Sequence, residues 1–407
     1  MIEVSGLQNL MQLNHGIHLA YCTNVHRGGD WEETFHSLEH DVLRVRQAVS
    51  PDAQYAIGLR LSANAANELS DSARLLEFQR WLEEKQCYVF TINGFPYGDF
   101  HGTRVKEQVY VPDWSKPERL EYTNLLFDIL SEILPPGVPG SVSTLPGSFK
   151  EFYPQDSSGN YQVPNELFDN LLANCKHIEK LCAARAQDLH LGLEPEPLGL
   201  FETSEETVKF LDQLQHKVFG DDTSWQQRIG VNYDTCHLGV EFEEPETALS
   251  NILNAGYRIS KIHISSALSL DPNTEVVQQL SQYSEPVYLH QVISRNASNQ
   301  IQRWKDLDLA LQYAEKKAYK DLGEEWRVHF HIPLHAAPGK PFSDTREHVY
   351  GTLDYLELHP DTCQHLEMET YTWEVLPKEI RTGDVVDQVV EEYKWTLQEL
   401  SSRGLCG

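Results

Sequence analysis

Two signals alternate along this chain. Apolar strand-like runs and amphipathic helix-like runs follow one another from end to end. Parallel strands need a long crossover, normally a helix, so this alternation predicts a parallel sheet. Strand signals fall at 15–24, 56–61, 88–93, 140–145, 189–194, 229–234 and 261–265, with an eighth ending at Glu369. Helical spacing recurs at 31–49, 70–86, 117–134, 165–187, 203–219 and 244–257, and 385–400 follows the last strand. In the first helix Trp31, Phe35, Leu38, Val42 and Val45 share a face. Pro117 suits a first helical position, and Pro135-Pro136 stops that helix. Eight such units predict an α/β fold, the (β/α)8 TIM barrel.

A barrel of this kind takes about 250 residues, and the chain has 407. The surplus is expected at 267–362, an insertion before the last strand. It has strand-like runs at 287–292 and 328–333 and helical ones at 304–322 and 345–358. Whether 328–333 is a barrel strand or part of the insertion stays open at this level. No linker, repeat or low-complexity tract divides the chain, which reads as one elaborated domain over 1–407.

Composition excludes several functions. No apolar run reaches the roughly 18 residues of a membrane span, and no charged-then-apolar leader opens the chain, so a cytoplasmic location is expected. The net charge of −28 and the lack of a basic run argue against a nucleic-acid partner. Seven scattered cysteines without a C-x-x-C pair argue against a disulfide framework or a structural zinc knuckle.

In a parallel barrel the carboxyl ends of all strands open on one face. Four late strand ends here carry metal-binding residue types: Glu194 in Leu-Glu-Pro-Glu-Pro, Asp234 in Asp-Thr-Cys-His, His263 in Lys-Ile-His-Ile, and Glu369 in Glu-Met-Glu-Thr. Alone, each acid reads as a solvated carboxylate and the histidine as a core residue. Together they read as one site. Three carboxylates and an imidazole suit Mn²⁺ or Zn²⁺, with Mg²⁺ or Co²⁺ also compatible, better than they suit a thiolate-selective structural zinc. His237 lies three residues past Asp234, on the opposite face of a regular strand. One of the two must therefore leave the strand, most simply His237, which is expected as a substrate contact or second-metal ligand. Pro195 places Glu194 in the site and leaves Glu196 on the rim.

At these residues the chain resembles the xylose-isomerase-like superfamily of TIM barrels, which includes sugar isomerases, epimerases and the AP-endonuclease branch. The resemblance implies metal ligands at Glu194, Asp234, His263 and Glu369. It also implies that Glu194 and Glu369 act as the acid–base pair on a small polyhydroxy or keto metabolite, through an enediolate stabilised by the metal's charge. Asn93, Tyr97 and Lys106, after the third strand, are expected to hold substrate beside His237. In the AP-endonuclease branch the segment before the last strand adds zinc ligands, a part open to His331 and His335. More narrowly, the residues 18–24, Asn93-Gly-Phe-Pro-Tyr-Gly98, Phe100-His-Gly102 and 365–373 resemble the EboE-type metabolite traffic proteins. That resemblance implies partners from the same gene cluster, and homo-oligomerisation is compatible with it. Two alternatives remain beside an isomerase or epimerase: a metal-dependent hydrolase of small phosphate esters, and a barrel that binds its metabolite without turnover.

Overall fold

The computed structural model describes residues 11–98, 105–317, 321–377, 381 and 383–407. Seven strands come first in chain order: β1 (His18–Tyr21), β2 (Tyr55–Arg60), β3 (Cys87–Asn93), β4 (Gly140–Thr144), β5 (Leu189–Leu193), β6 (Ile229–Asp234) and β7 (Ile259–Ile264). Five more, β8 (Ala267–Leu270), β9 (Val292–Arg295), β10 (Ile301–Trp304), β11 (Glu325–His331) and β12 (Ser343–Asp344), precede β13 (His365–Met368).

β1 to β7 and β13 form one sheet in the order β1-β13-β7-β6-β5-β4-β3-β2, with parallel pairing throughout. Cys22, just past β1, makes a parallel bridge to Gly58 of β2 and brings the two ends of the sheet together. The expected (β/α)8 barrel is the fold. Gly58 is needed at the seam, because a Cβ there would lie 2.0 Å from Glu367 Oε1 and 2.6 Å from the Tyr21 carbonyl oxygen.

Residues between β7 and β13 build a second sheet, antiparallel, in the order β10-β9-β11-β8-β12. β11 belongs there and not to the barrel. Two expectations are corrected in this region. The strand expected at 287–292 begins only at Val292, and of the helix expected at 304–322 the described residues show an α-helix at Leu307–Ala314. The cause is tertiary. Leu289 and Gln291 line the barrel mouth, and Ile301–Trp304 pairs as a strand with Val292–Arg295.

Inside the barrel the side chains form layers, as expected for inward residues of period two. Here the layers are polar. At the amino end His365 Nδ1 meets Ser141 Oγ at 2.8 Å, and Ser141 donates to Thr91 Oγ1 at 2.7 Å. In the middle Lys261 Nζ donates to Glu367 Oε2 at 2.6 Å and to Ser143 Oγ at 2.9 Å. Apolar packing lies mainly between the strands' outer faces and the surrounding helices, with Val89, Phe127, Leu191 and Ile262 fully buried. The carboxyl end carries the third layer.

Candidate metal centre

Glu194 follows β5, its N–H bonded to the Thr144 carbonyl at 3.0 Å, and Glu369 follows β13, its N–H bonded to the Ile264 carbonyl at 3.1 Å. Pairing in register sets Asp234 opposite His263 and His263 opposite Glu367. Ligand-capable atoms of Glu194, Asp234, His263 and Glu369 all lie within 4.8 Å of one another, and all four residues are buried. His263 Nδ1 is the focus. It stands 3.1 Å from Glu194 Oε1, 3.3 Å from Glu369 Oε2 and 3.4 Å from Asp234 Oδ2.

Each carboxylate is prepared for this position. Asp234 Oδ1 accepts from the Cys236 and His237 N–H groups at 2.7 and 3.1 Å, and from Ser265 Oγ at 2.6 Å, which caps the short helix Thr235–Val240. Its Oδ2 is left for the site. Glu369 Oε1 accepts from Asn24 Nδ2 at 2.8 Å and Asn93 Nδ2 at 3.1 Å, so its Oε2 faces His263. Glu194 Oε2 is buried with no hydrogen-bond partner.

Beneath them, His263 Nε2 meets Glu367 Oε2 at 2.8 Å, the same oxygen that takes the Lys261 ammonium. Burial opposes the Glu367 charge, but Lys261 and His263 hold its pKa down at about 2. An ionised Glu367 accepts the Nε2–H hydrogen bond, so that with a cation in place of the second proton the ring would present its Nδ1 lone pair, a carboxylate–histidine arrangement that serves metal ligands. Burial would likewise discharge His263, yet Glu369 and Glu194 outweigh it and hold the ring's pKa well above the ordinary value. Carboxylates that demand positive charge against burial mark a cation position. The donor set and its unspent oxygens fit a divalent ion.

Next to this set lies another. His237 Nδ1 meets the Pro195 carbonyl at 3.1 Å, so that nitrogen carries the proton. His329 Nδ1 meets Gln291 Oε1 at 2.8 Å, and the Gln291 amide is oriented by its bond to the Pro197 carbonyl at 2.9 Å. Both rings therefore turn Nε2 lone pairs toward each other, at 3.1 Å. Burial lowers the pKa of each ring, against the pull of Asp234 on His237 and reinforced by His237 on His329. Facing lone pairs repel unless a proton or cation joins them. Glu196 completes a three-residue set with these rings, and His331 makes another with Asp234 and His237. The His331 Nδ1 bonds the Glu369 carbonyl at 2.8 Å, and its Nε2 is buried without a partner.

Glu196 is thus not on the rim. It is buried, and burial with the neighbouring Glu194 charge pushes its pKa well up. Pro195 ends the strand as expected but does not carry Glu196 out to solvent. His329 and the orienting Glu367 are the other residues that strand-end logic missed. An H-x-H run in β11 was the only available signal for the first, and the E-x-E of β13 for the second.

A cavity of about 70 Å³ opens above the centre, lined in part by Asn93, Lys106, Glu194, Glu196, His237 and His329. Lys106 stands in this wall, but its ammonium is engaged by Asp306 Oδ2 at 2.6 Å and the Glu285 carbonyl at 3.2 Å. Asn93 spends its amide on Glu369. Tyr97 lies outside the described cavity wall, edge-on to Tyr122 at 5.1 Å between ring centroids. His335 joins none of the donor sets; its charged neighbours are Glu391 and Arg346. The Phe100-His-Gly102 motif lies outside the described residues. Among the described residues, no helix is long and apolar enough to cross a membrane.

No protein-family model matches the chain, and no curated protein matches it. Solved structures do. A xylose isomerase domain protein from Planctomyces limnophilus is similar at 12% identity over 88% of this chain and 93% of its own, with a TM-score of 0.47. A D-tagatose 3-epimerase-like protein is similar at 11% identity over 95% and 97%, with a TM-score of 0.47. The IolI protein, solved with a zinc atom, is similar at 12% identity over 95% and 98%, with a TM-score of 0.46. Strand order and parallel pairing define the barrel of this chain by themselves.

Proposed function

We propose that this chain belongs with the xylose-isomerase-like barrels and is a divalent-metal-dependent isomerase or epimerase of a small polyhydroxy or keto metabolite. The observation that carries this reading is the convergence of Glu194, Asp234 and Glu369 on His263 Nδ1 at the barrel mouth. An ion of the Mn²⁺ or Zn²⁺ type held there supplies Lewis acidity toward a carbonyl and its neighbouring hydroxyl. Glu194, with an unengaged oxygen, removes the proton from the substrate carbon. Glu369, fixed by Asn24 and Asn93 through one oxygen, carries a proton on the other and delivers it to the same carbon from the other side, while Glu194 keeps the one it removed. Asn93 acts here as a positioning residue, and His237 as the substrate's neighbour. The residues at 18–24, 93–98 and 365–373 support an EboE-type role, with the metabolite passed on to products of the same gene cluster.

Elemental analysis of protein purified without chelators tests the centre. We expect near one ion per chain, lost in Glu369→Ala and in His263→Ala. Full metal in both variants would sink the assignment. Incorporation of deuterium from heavy water into a sugar or keto acid tests the chemistry, and its absence across a broad panel favours binding without turnover.

The facing lone pairs of His237 and His329 favour a second reading, hydrolysis of a small phosphate ester at a multi-metal centre. Two or three zinc ions per chain, with phosphate release, would select it.

A further inference from the structure

The opposite end of the barrel holds a second cavity, of about 210 Å³, at the starts of β4, β5, β6, β7 and β13. Barrel ends are ordinarily filled by bulky branched apolar side chains. This one is floored by polar groups. His190 and His365 lie 1% exposed, their ring centroids 5.1 Å apart, and Ser260 lies 2% exposed beside them. Arg258 stands in the wall with a quarter of its side chain exposed.

The hydrogen bonds assign the chemistry. Ser141 spends its proton on Thr91, so it can only accept from His365 Nδ1. The proton of a neutral His365 is therefore on Nδ1, and its Nε2 is a lone pair. That Nε2 is buried and has no hydrogen-bond partner. Burial keeps the ring uncharged, His18 and then Arg258 reinforce this, and the Pro139 carbonyl beside the ring opposes it. His190 Nδ1 is taken by Ser260 Oγ. Arg258 donates to the Gln227 carbonyl at 2.6 Å and stands 3.5 Å from Asp188, which leaves most of its five N–H donors unspent. Asp361 is the acidic residue in the wall. A buried acceptor without a donor and a guanidinium with donors to spare thus line one cavity.

We propose that this cavity binds a small hydroxylated anion, its phosphate or carboxylate on Arg258 and its hydroxyl donated to His365 Nε2. It is distinct from the mouth, since none of its wall residues lines the cavity above the metal centre. Its floor is nonetheless continuous with that centre, because His365 and Glu367 share the inner face of β13.

Calorimetric titration of the full-length, as-purified protein with glycerol 3-phosphate tests this, with glycerol and inorganic phosphate as separate arms. We expect one equivalent bound with Kd of about 1 mM or tighter, and each single-function probe roughly tenfold weaker. Arg258→Gln and His365→Phe should each weaken glycerol 3-phosphate about tenfold or more, whereas Glu369→Ala should leave it unchanged. If His365→Phe does not fold, Arg258→Gln decides alone. No binding at about 10 mM probe, or equal binding by Arg258→Gln, overturns the proposal. Loss in Glu369→Ala with retention in Arg258→Gln would place the ligand at the mouth and overturn it as well. Failure of this test leaves the metal content of the centre untouched, so the two readings stand or fall separately.

Discussion

Glu367 shows how much a single inward residue can decide. One oxygen takes both the Lys261 ammonium and the His263 N–H, and so turns the His263 lone pair toward the carboxylates. Glu367→Gln keeps the shape but weakens the acceptor. Metal affinity should fall about 10–100-fold, the usual cost of losing such an orienting partner, as read by competition with a chelating dye. An unchanged affinity would show that His263 needs no help. At the barrel seam Gly58 leaves no room for a methyl group. Gly58→Ala should lower stability by about 1–3 kcal/mol, measured as a shift in the urea midpoint at constant slope. None of this was legible from residue types alone, because E-x-E and a glycine in a strand are common patterns without a partner in view.

Among elements, residues 105–110 after β3 and the insertion wall the mouth together. Val105 and Lys106 N–H groups both reach the Val287 carbonyl, at 2.9 and 3.0 Å, and the Lys106 side chain is paired with Asp306. The pair is poorly exposed, at 9% and 17%, so losing one partner leaves the other charge stranded. Lys106→Met should speed amide hydrogen exchange of 105–110 about tenfold or more, with barrel strands unchanged. Equal exchange would mean the backbone bonds alone hold the loop. The strand spacing along the sequence located the eight barrel strands to within a few residues, but the helical spacing missed the short helix Ala63–Leu69. It failed in the insertion, where 287–292 alternates like a strand yet serves as cavity wall. Periodicity reports that a segment has two faces, not which surface each face meets.

At the scale of the molecule, several buried imidazoles are kept neutral by the fold. Burial lowers the pKa of His18 to about 4 and of His348 to about 3. In the unfolded chain each would take a proton near pH 6.5. Below that pH the unfolded state binds more protons than the folded one, so stability rises with pH. It is complete above about 6.5 and is lost as pH falls from there toward 4. We expect the urea midpoint to drop steadily between pH 7 and pH 5. His348→Gln should flatten that slope if it retains the contact to Tyr233, which now lies 2.8 Å from His348 Nε2. A midpoint independent of pH in that range would refute the account.

The barrel, and the four strand ends that meet at its mouth, were already legible in the order of residues. Both follow from local periodicity: helices between strands force parallel order, and parallel order gathers the carboxyl ends. The short helix Thr235–Val240, capped by Asp234, likewise satisfies the expectation that His237 leaves the strand. Which second residues complete the chemistry depended on how distant segments pack. Glu367 orients His263, Asn24 and Asn93 hold Glu369, and His329 faces His237 across 92 positions of chain. The tertiary structure also showed that Glu196 is buried and Tyr97 packed edge-on against Tyr122, and it opened a polar cavity at the far end of the barrel. These depend on the direction of each side chain after strands of distant origin have paired, and no spacing within one segment records that direction.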